Sequence, residues 1–270
     1  MKKIRFISII TILTLLFTAN CFATESNQYK VTYKCDNIYS AAEVENLIET
    51  GKNTTGEFKI ANNFNVEKND DLNIESVGDN MQLLERRVMP DGTIEEDYIA
   101  TSIYDVSPKE DSNSQPTISP NATNTDSTTS IRMALSSIFT KISNSAGILV
   151  KITDFQVYYT KLDPQALVTK ISVYEDSYGH IYDSTATNLL FTYGTCQKYL
   201  GSKSSGITPN VVYNINNFSG KSALSNYYVA VTDGEAHAGT KANFTIKRNN
   251  AATTWTGTVR SHIFIFGESS

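Results

Sequence analysis

Residues 81–106 read MQLLERRVMPDGTIEEDYIATSIYDV, and this stretch predicts an antiparallel β-hairpin. Its two arms, 81–89 and 93–106, have strand-like composition and flank the tripeptide Pro90-Asp91-Gly92. Proline presets the first dihedral angle of a turn, and glycine accepts the positive φ that a tight turn requires. Because an isolated hairpin is only marginally stable, we expect this one to pack on another part of the chain.

The segment before the hairpin predicts one α-helix. Ser40 opens the sequence AAEVENLIET. Val44, Leu47 and Ile48 fall at helical spacing within it. Gly51 stands where a helix C-cap belongs. We therefore interpret residues 24–106 as a small acidic α+β region that contains one helix and one hairpin.

Composition changes sharply after the hairpin. Residues 107–130 read SPKEDSNSQPTISPNATNTDSTTS and contain almost no apolar side chain. Such a segment cannot bury enough apolar surface to offset its conformational entropy, which predicts a flexible linker rich in Ser, Thr, Asn and Pro. The alternative for a segment of this length is an ordered surface loop.

Residues 131–270 predict mainly β structure. Runs of strand-like sequence recur between turn signals, about eight of them in this half of the chain, which is typical of an antiparallel β-sandwich. The half is long enough to bury a substantial core. Its last strand, near Ile263 and Phe264, is apolar on both faces, so we expect it in a central position.

The N-terminus predicts export. MKKIR is positively charged, residues 6–17 are apolar, and Cys21 and Ala23 are the small residues of a cleavage site before Thr24. The apolar run is shorter than the roughly 20 residues that span a bilayer. We interpret residues 1–23 as a bacterial signal peptide, and we expect a secreted, extracellular protein with no integral membrane span after its removal.

The charge distribution disfavours a nucleic-acid partner. The chain has a formal net charge of -5, whereas binding to phosphates requires basic residues. Residues 24–130 hold 8 Lys and Arg against 20 Asp and Glu, and residues 131–270 hold 12 against 8. Because the positive excess of the second half is spread thinly, we expect it to bind any partner through aromatic side chains rather than through charge.

Local signatures of catalysis are absent from the sequence. His180, His237 and His262 lack metal-binding spacing, and the chain has no phosphate loop, dinucleotide fingerprint or nucleophile elbow. We therefore expect no catalytic residues, no cofactor and no metal. Asn69-Asp70-Asp71 and Glu95-Glu96-Asp97 could offer oxygen ligands to Ca²⁺, but they lack the spacing of a calcium loop, which favours a solvated acidic face.

Cys35 and Cys196 are the two cysteines that follow the signal peptide. An even number of cysteines in an exported protein permits a disulfide, and this one would tie the acidic region to the β-sandwich. Spacing alone does not establish the geometry of such a bond. Two free or buried thiols are the alternative.

Aromatic side chains supply the candidate binding residues. The stretch Tyr178-Gly179-His180-Ile181-Tyr182 resembles a turn with one ring on each side, and Trp255 follows a loop-like sequence at the start of the last strand. Exposed rings can stack on sugars or anchor a protein partner. Tyr178, Tyr182 and Trp255 are therefore the candidates, and the alternative is that they belong to the core.

Two classes of function follow from the sequence. The first is a secreted noncatalytic β-sandwich protein that binds glycan, cell wall or a protein partner at the cell surface. The alternative is an exported hydrolase whose carboxylates converge only in three dimensions. A shallow aromatic face would favour binding, and a deep polar cleft with close carboxylates would favour hydrolysis.

Overall fold

The computed structural model describes residues 29–56, 58–60, 72–109, 131–232, 234–249 and 254–264. Within these ranges the chain is mainly antiparallel β, which confirms the predicted fold class. The predicted signal peptide lies outside the described residues.

The described residues form twelve strands and one α-helix. The strands are β1 (Lys30–Lys34), β2 (Lys59–Ile60), β3 (Leu72–Val88), β4 (Ile94–Pro108), β5 (Ile131–Asn144), β6 (Gly147–Lys161), β7 (Ala166–Tyr182), β8 (Leu189–Lys203), β9 (Tyr213–Asn214), β10 (Tyr228–Ala230), β11 (Ala238–Arg248) and β12 (Thr254–Phe264). The helix is α1 (Ala41–Glu49), and a short 3-10 helix spans Ile215–Asn217.

All twelve strands belong to one antiparallel sheet. Its order is β1-β3-β4-β5-β6-β10-β7-β11-β12-β2, with β8 paired to the other side of β7 and β9 paired to β6. The predicted hairpin is confirmed as β3 and β4, and Gly92 in its turn has a φ of 84°. Positive φ is the reason for glycine at this position.

The hairpin is joined to the second half of the chain by strand pairing. β4 pairs with β5 from Glu95 opposite Ile142 to Val106 opposite Ile131. One sheet therefore runs through both regions that composition separates. Pro108, in the first part of the predicted linker, is the last residue of β4, and residues 110–130 lie outside the described ranges.

The sheet folds over itself into two packed layers. β11 and β12 pack on β4 and β5, where the hydroxyl of Ser137 donates a hydrogen bond of 2.8 Å to the carbonyl of Ser261. The hydroxyl of Ser261 in turn donates one of 3.1 Å to the carbonyl of Ala100. Small side chains at these contacts between strands let the two layers approach closely. Both layers belong to one continuous antiparallel sheet, to which β4 of the acidic region contributes.

The main core lies between these layers. Bulky side chains from both layers fill it, among them Phe155 and Tyr159 of β6, Ile171 of β7 and Phe244 of β11, all of them buried. Truncation of such a side chain to alanine typically costs about 3 to 5 kcal/mol. The side chains of β7, β11 and β12 that alternate with the core residues point to the opposite face of the sheet.

Helix α1 is confirmed at the predicted place. The hydroxyl of Ser40 accepts a hydrogen bond from the backbone N–H of Glu43, and the Glu43 carboxylate accepts one from the backbone N–H of Ser40. This capping box satisfies two donors at the start of the helix. Val44 is buried against Ile103 and Ala134, which packs α1 on the sheet.

Candidate functional site

The segment that carries the first two candidate residues is a strand. Its interpretation as a turn is wrong, because β7 continues from Ala166 to Tyr182 and pairs with β8 over this length. Gly179 is required here by a close approach rather than by a turn. A Cβ at Gly179 would lie 2.9 Å from the carbonyl oxygen of Ala230 on β10.

The three candidate aromatics lie in three different environments. Tyr178 is half-buried on the face of β7 that points away from the core, within 6.1 Å of the ring of Tyr193. Tyr182 packs against a small cluster that contains Tyr228, and Trp255 points inward against the main core. Of the three, only Tyr178 belongs to an aromatic surface.

That surface is the face of β7, β8, β11 and β12 opposite the core, which we call the outer face. Register and strand alternation place aromatic, basic and hydrogen-bonding side chains on it. Its central members are Tyr174, Asp176 and Tyr178 of β7, Tyr193, Gln197 and Tyr199 of β8, Lys241 of β11 with the adjoining His237, and Arg260 and His262 of β12.

Four tyrosines form two pairs along the β7–β8 hairpin. Tyr174 and Tyr199 meet edge to face with ring centroids 5.4 Å apart, and Tyr178 and Tyr193 meet at 6.1 Å. The β8 member of each pair is exposed, Tyr193 by 52% and Tyr199 by 38%. Because Tyr174 and Tyr178 are four residues apart on one strand, the pairs are separated by about 13 Å.

Tyr193 has an unusual backbone conformation. Its φ is 51°, in the left-handed region that bulky side chains rarely adopt. The β7–β8 register shifts at this point, between the pair Gly179–Gly194 and the pair Ile181–Phe191. The bulge turns the Tyr193 ring towards Tyr178 and His180, and the His180 ring lies 4.4 Å away.

Asp176 lies at the centre of the outer face and contacts three side chains. One oxygen accepts a hydrogen bond of 3.0 Å from the Gln197 amide, and the other lies 3.0 Å from Nε2 of His262. Nε of Arg260 is 3.6 Å from the same oxygen. Burial alone would raise the pKa of Asp176, but these hydrogen bonds hold that pKa well below its usual value, so the carboxylate stays charged.

The two histidines at this centre are stacked. The rings of His237 and His262 have centroids 4.2 Å apart and an interplanar angle of 15°. Burial lowers the pKa of His237 to about 4, and the neighbouring His262 acts in the same direction. Burial also lowers the pKa of His262, against the opposing effect of Asp176. Both rings are therefore neutral at pH 7.

Gly239 makes the contact between Asp176 and His262 possible. It lies on β11, between β7 and β12, directly opposite His262. A Cβ at Gly239 would collide with the backbone of Ser261 and lie 2.9 Å from the Cα of His262. The missing side chain leaves room for Asp176 to reach across the strand.

Asp176, His237 and His262 could also be considered as metal ligands. Each offers one ligand atom, and these atoms lie within 4.8 Å of one another. A metal ion lies close to the plane of each imidazole that binds it, and two nearly parallel stacked planes do not meet at one ion. Arg260 also places a positive charge beside Asp176. The arrangement therefore fits a hydrogen-bonded ring stack better than a shared cation.

The acidic stretch Glu95-Glu96-Asp97 lies on β4 and is occupied by basic partners. Arg86 and Lys141 contact Glu96 at 2.5 and 3.0 Å, and Arg87 contacts Glu95 and Asp97. These ion pairs neutralise the stretch, so it does not present free carboxylates to Ca²⁺. The other stretch, residues 69–71, lies outside the described residues.

Cys35 and Cys196 are free thiols in this structure and do not lie at disulfide distance from each other. The amide nitrogen of Gln82 lies 3.0 Å from the sulfur of Cys35, and the hydroxyl of Ser225 lies 3.9 Å from that of Cys196. The two sulfurs therefore lie in separate polar environments.

Sequence reasoning missed most of the outer face. The strand-like run over 188–193 predicts a strand that ends at Tyr193, whereas β8 continues to Lys203 and adds Gln197 and Tyr199. His237 and His262 come together through the pairing of β11 with β12, which spacing in the chain does not indicate. The one available signal is Gly239, a glycine inside an alternating strand.

Among the described residues, no helix has both the length and the apolar character needed to cross a membrane. Comparison with family models, with curated proteins and with solved structures found no match to this chain.

Proposed function

We propose that this protein is a secreted noncatalytic binding module that holds an extended glycan on its outer face. The observation that carries the proposal is the exposed Tyr193, which the β8 bulge holds in a left-handed conformation beside Tyr178. A left-handed conformation costs a bulky residue roughly 1 to 2 kcal/mol. Strained backbone conformations of this kind cluster at functional sites, where the direction of a side chain matters more than local stability.

The spacing of the tyrosines suits an elongated ligand. A ligand that contacts both the Tyr174–Tyr199 pair and the Tyr178–Tyr193 pair must span about 13 Å, the length of four residues along a strand. A chain of several sugar rings meets this requirement, since each apolar ring face can stack on a tyrosine. Gln197 lies between the pairs and offers hydrogen bonds to hydroxyl groups.

The alternative of a carboxylate-based hydrolase has less support. Hydrolysis of a glycosidic bond uses two carboxyl groups that face each other across the bond. Glu175 and Asp176 are neighbours on β7 and point to opposite faces, and Glu95-Glu96-Asp97 is held in ion pairs. Within the described ranges the outer face of the four strands carries Asp176 alone among carboxylates.

Affinity electrophoresis tests the proposal. The purified protein is run in gels that contain a panel of soluble polysaccharides, neutral and acidic, and retardation measures binding. The double variant Tyr193→Ala/Tyr199→Ala removes the exposed ring of each pair. The matched control is Tyr33→Ala, which removes an equally exposed tyrosine from β1, on another part of the sheet.

We expect the wild type to be retarded by at least one polysaccharide and the double variant to bind it at least tenfold more weakly, because ring stacking supplies much of the affinity. Tyr33→Ala should behave as the wild type. A wild type that no polysaccharide retards, or a double variant that binds as tightly as Tyr33→Ala, would contradict the proposal.

A further inference from the structure

The strands gather positive charge on the outer face. Lys170 of β7, Lys241 and Lys247 of β11 and Arg260 of β12 all lie on it, as the register shows. Lys170 pairs with Thr245, Lys241 pairs with Tyr174 and with Arg260, and Lys247 pairs with Thr254. Four basic side chains, of which Lys241 is buried, therefore share the described part of this face with one carboxylate, that of Asp176.

Three other acids of the same half of the chain point elsewhere. The Glu175 carboxylate is buried on the opposite side of β7, where it accepts a hydrogen bond of 2.9 Å from the backbone N–H of Ser225. Asp163 pairs with Arg248 at the β6–β7 turn, and Asp183 accepts hydrogen bonds within the β7–β8 turn. Among the described strand residues of the outer face, basic side chains thus outnumber carboxylates four to one, on a chain whose net charge is -5.

The charges and the rings are interleaved. The ammonium group of Lys241 lies 5.3 Å from the centre of the Tyr174 ring, a cation–π contact beside the first tyrosine pair. Arg260 is level with Tyr174 across the strands, and its Nε lies 3.6 Å from Asp176, which is between the two tyrosine pairs. A ligand that stacks on the tyrosines therefore meets the cations at the same time.

We propose that the ligand of the outer face is an anionic glycan whose sugar rings carry carboxylate groups. This inference rests on the proposed function and adds the chemical class of the glycan. Carboxylates fit the site because lysine and arginine form charge-assisted hydrogen bonds with them, which are stronger than hydrogen bonds between neutral groups. The ligand carboxylates take positions near Arg260, whose side chain is 13% exposed, and near Lys170 and Lys247 at the edge of the outer face. Lys241 is buried and attracts them only at longer range.

Matched polysaccharides test the inference. Polygalacturonate, alginate and hyaluronate are each compared with their methyl esters, which keep the sugar backbone and remove the charge. Binding is measured by affinity electrophoresis at low and at high NaCl. A single-stranded DNA oligonucleotide serves as an anion without sugar carboxylates.

Two matched double variants test the role of charge on the outer face. Lys170→Gln/Lys247→Gln removes two charges of the outer face, and Lys161→Gln/Lys221→Gln removes two from other surfaces of the same half. Lys170 is exposed and Lys247 is half-buried, so these changes should leave the fold intact, which a thermal melt verifies.

We expect at least one of the three acidic polysaccharides to bind at least tenfold more tightly than its methyl ester. High salt should reduce this ratio, since salt screens exposed charges. Lys170→Gln/Lys247→Gln should weaken binding about three- to tenfold, the loss expected for two solvated charge contacts. The control pair should change it less than twofold.

The failures of the two proposals can be told apart. If the protein binds esters or neutral polysaccharides as tightly as acidic ones, and Tyr193→Ala/Tyr199→Ala abolishes that binding, the proposed function stands and the anionic class is overturned. Equal affinity for DNA and for the acidic polysaccharides also overturns it. If no polysaccharide binds, the proposed function and this inference fall together.

Discussion

At the scale of single residues, the conformation of Tyr193 can be tested through stability. Inside a strand, glycine usually gives a less stable protein than alanine, by roughly 0.5 to 1 kcal/mol. At a left-handed position this order reverses, because alanine keeps the steric cost and glycine does not. We therefore expect Tyr193→Gly to be more stable than Tyr193→Ala by about 1 kcal/mol in urea denaturation, while both lose glycan binding. The opposite order of stability would mean that residue 193 has an ordinary strand conformation.

Gly239 is the residue at which an added side-chain atom should lower the stability of the fold most. Its Cβ would meet the backbone of Ser261, which cannot move without displacing β12. We expect Gly239→Ala to lower the free energy of unfolding by about 3 kcal/mol, at the upper end of overpacking effects. Gly206→Ala is the control. Its Cβ meets nothing within 4 Å, so only its positive φ should contribute, about 1 kcal/mol. Equal losses in the two variants would show that β11 and β12 are less closely packed than described.

The buried histidines predict a loss of stability on acidification. His237 has a pKa of about 4 in the folded protein, below the value near 6.5 of an unfolded chain. Between these values the unfolded state binds more protons, so stability is complete above pH 6.5 and falls as the pH drops towards 4. We expect the free energy of unfolding to fall by about 1 to 2 kcal/mol more in the wild type than in His237→Asn between pH 7 and pH 5.

Urea titrations at the two pH values measure this difference, with His180→Asn as a control that changes a histidine outside the stack. His262 has the same direction of shift and should leave a residual pH dependence in His237→Asn. Identical pH dependence in wild type and His237→Asn would contradict the burial of the His237 ring.

At the scale of strands and helices, aromatic residues of the core and of the outer face should differ in how much they contribute to stability. Trp255 points from β12 into the main core, whereas Tyr199 lies exposed on β8. We expect Trp255→Ala to cost about 3 kcal/mol of stability, in the range of large core truncations, and Tyr199→Ala to cost less than about 1 kcal/mol. Thermal denaturation of the two variants gives this comparison. A Trp255→Ala variant as stable as the wild type would return Trp255 to the list of surface binding residues.

The sequence predicts elements well where local chemistry decides them. The capping serine Ser40 marks the start of α1, and Pro90-Asp91-Gly92 marks the β3–β4 turn. Both signals act within a few residues. The boundary of β8 is not readable in this way, because its partner β7 provides the hydrogen bonds that extend it to Lys203. The segment around Gly179 is misread as a turn for the same reason, since β10, distant in sequence, requires the glycine.

At the scale of the whole molecule, charge and aromatic character are organised by the register of the sheet. Lys170, Lys241 and Arg260 are far apart in the chain, so the sequence indicates only a thin positive excess. Pairing of β7 with β11 and of β11 with β12 brings them to one face. In place of aromatic side chains that bind without charge, we propose that both kinds of side chain bind together on this face. The pairing of strands distant in sequence, which supplies this arrangement, is not encoded in any local pattern.

The same pairing gives the most direct test of the central claim, that the outer face holds the glycan. Amide hydrogen exchange is measured by mass spectrometry with and without the polysaccharide that retards the protein most. Among the described residues, β8 between Leu189 and Tyr199 pairs with β7 alone, so its amides there should exchange readily in the free protein. We predict that the ligand slows exchange in β8 between Leu189 and Tyr199 and in the adjoining parts of β7 and β11. Protection confined to β1, β3 and α1, or no protection at saturating polysaccharide, would contradict the account.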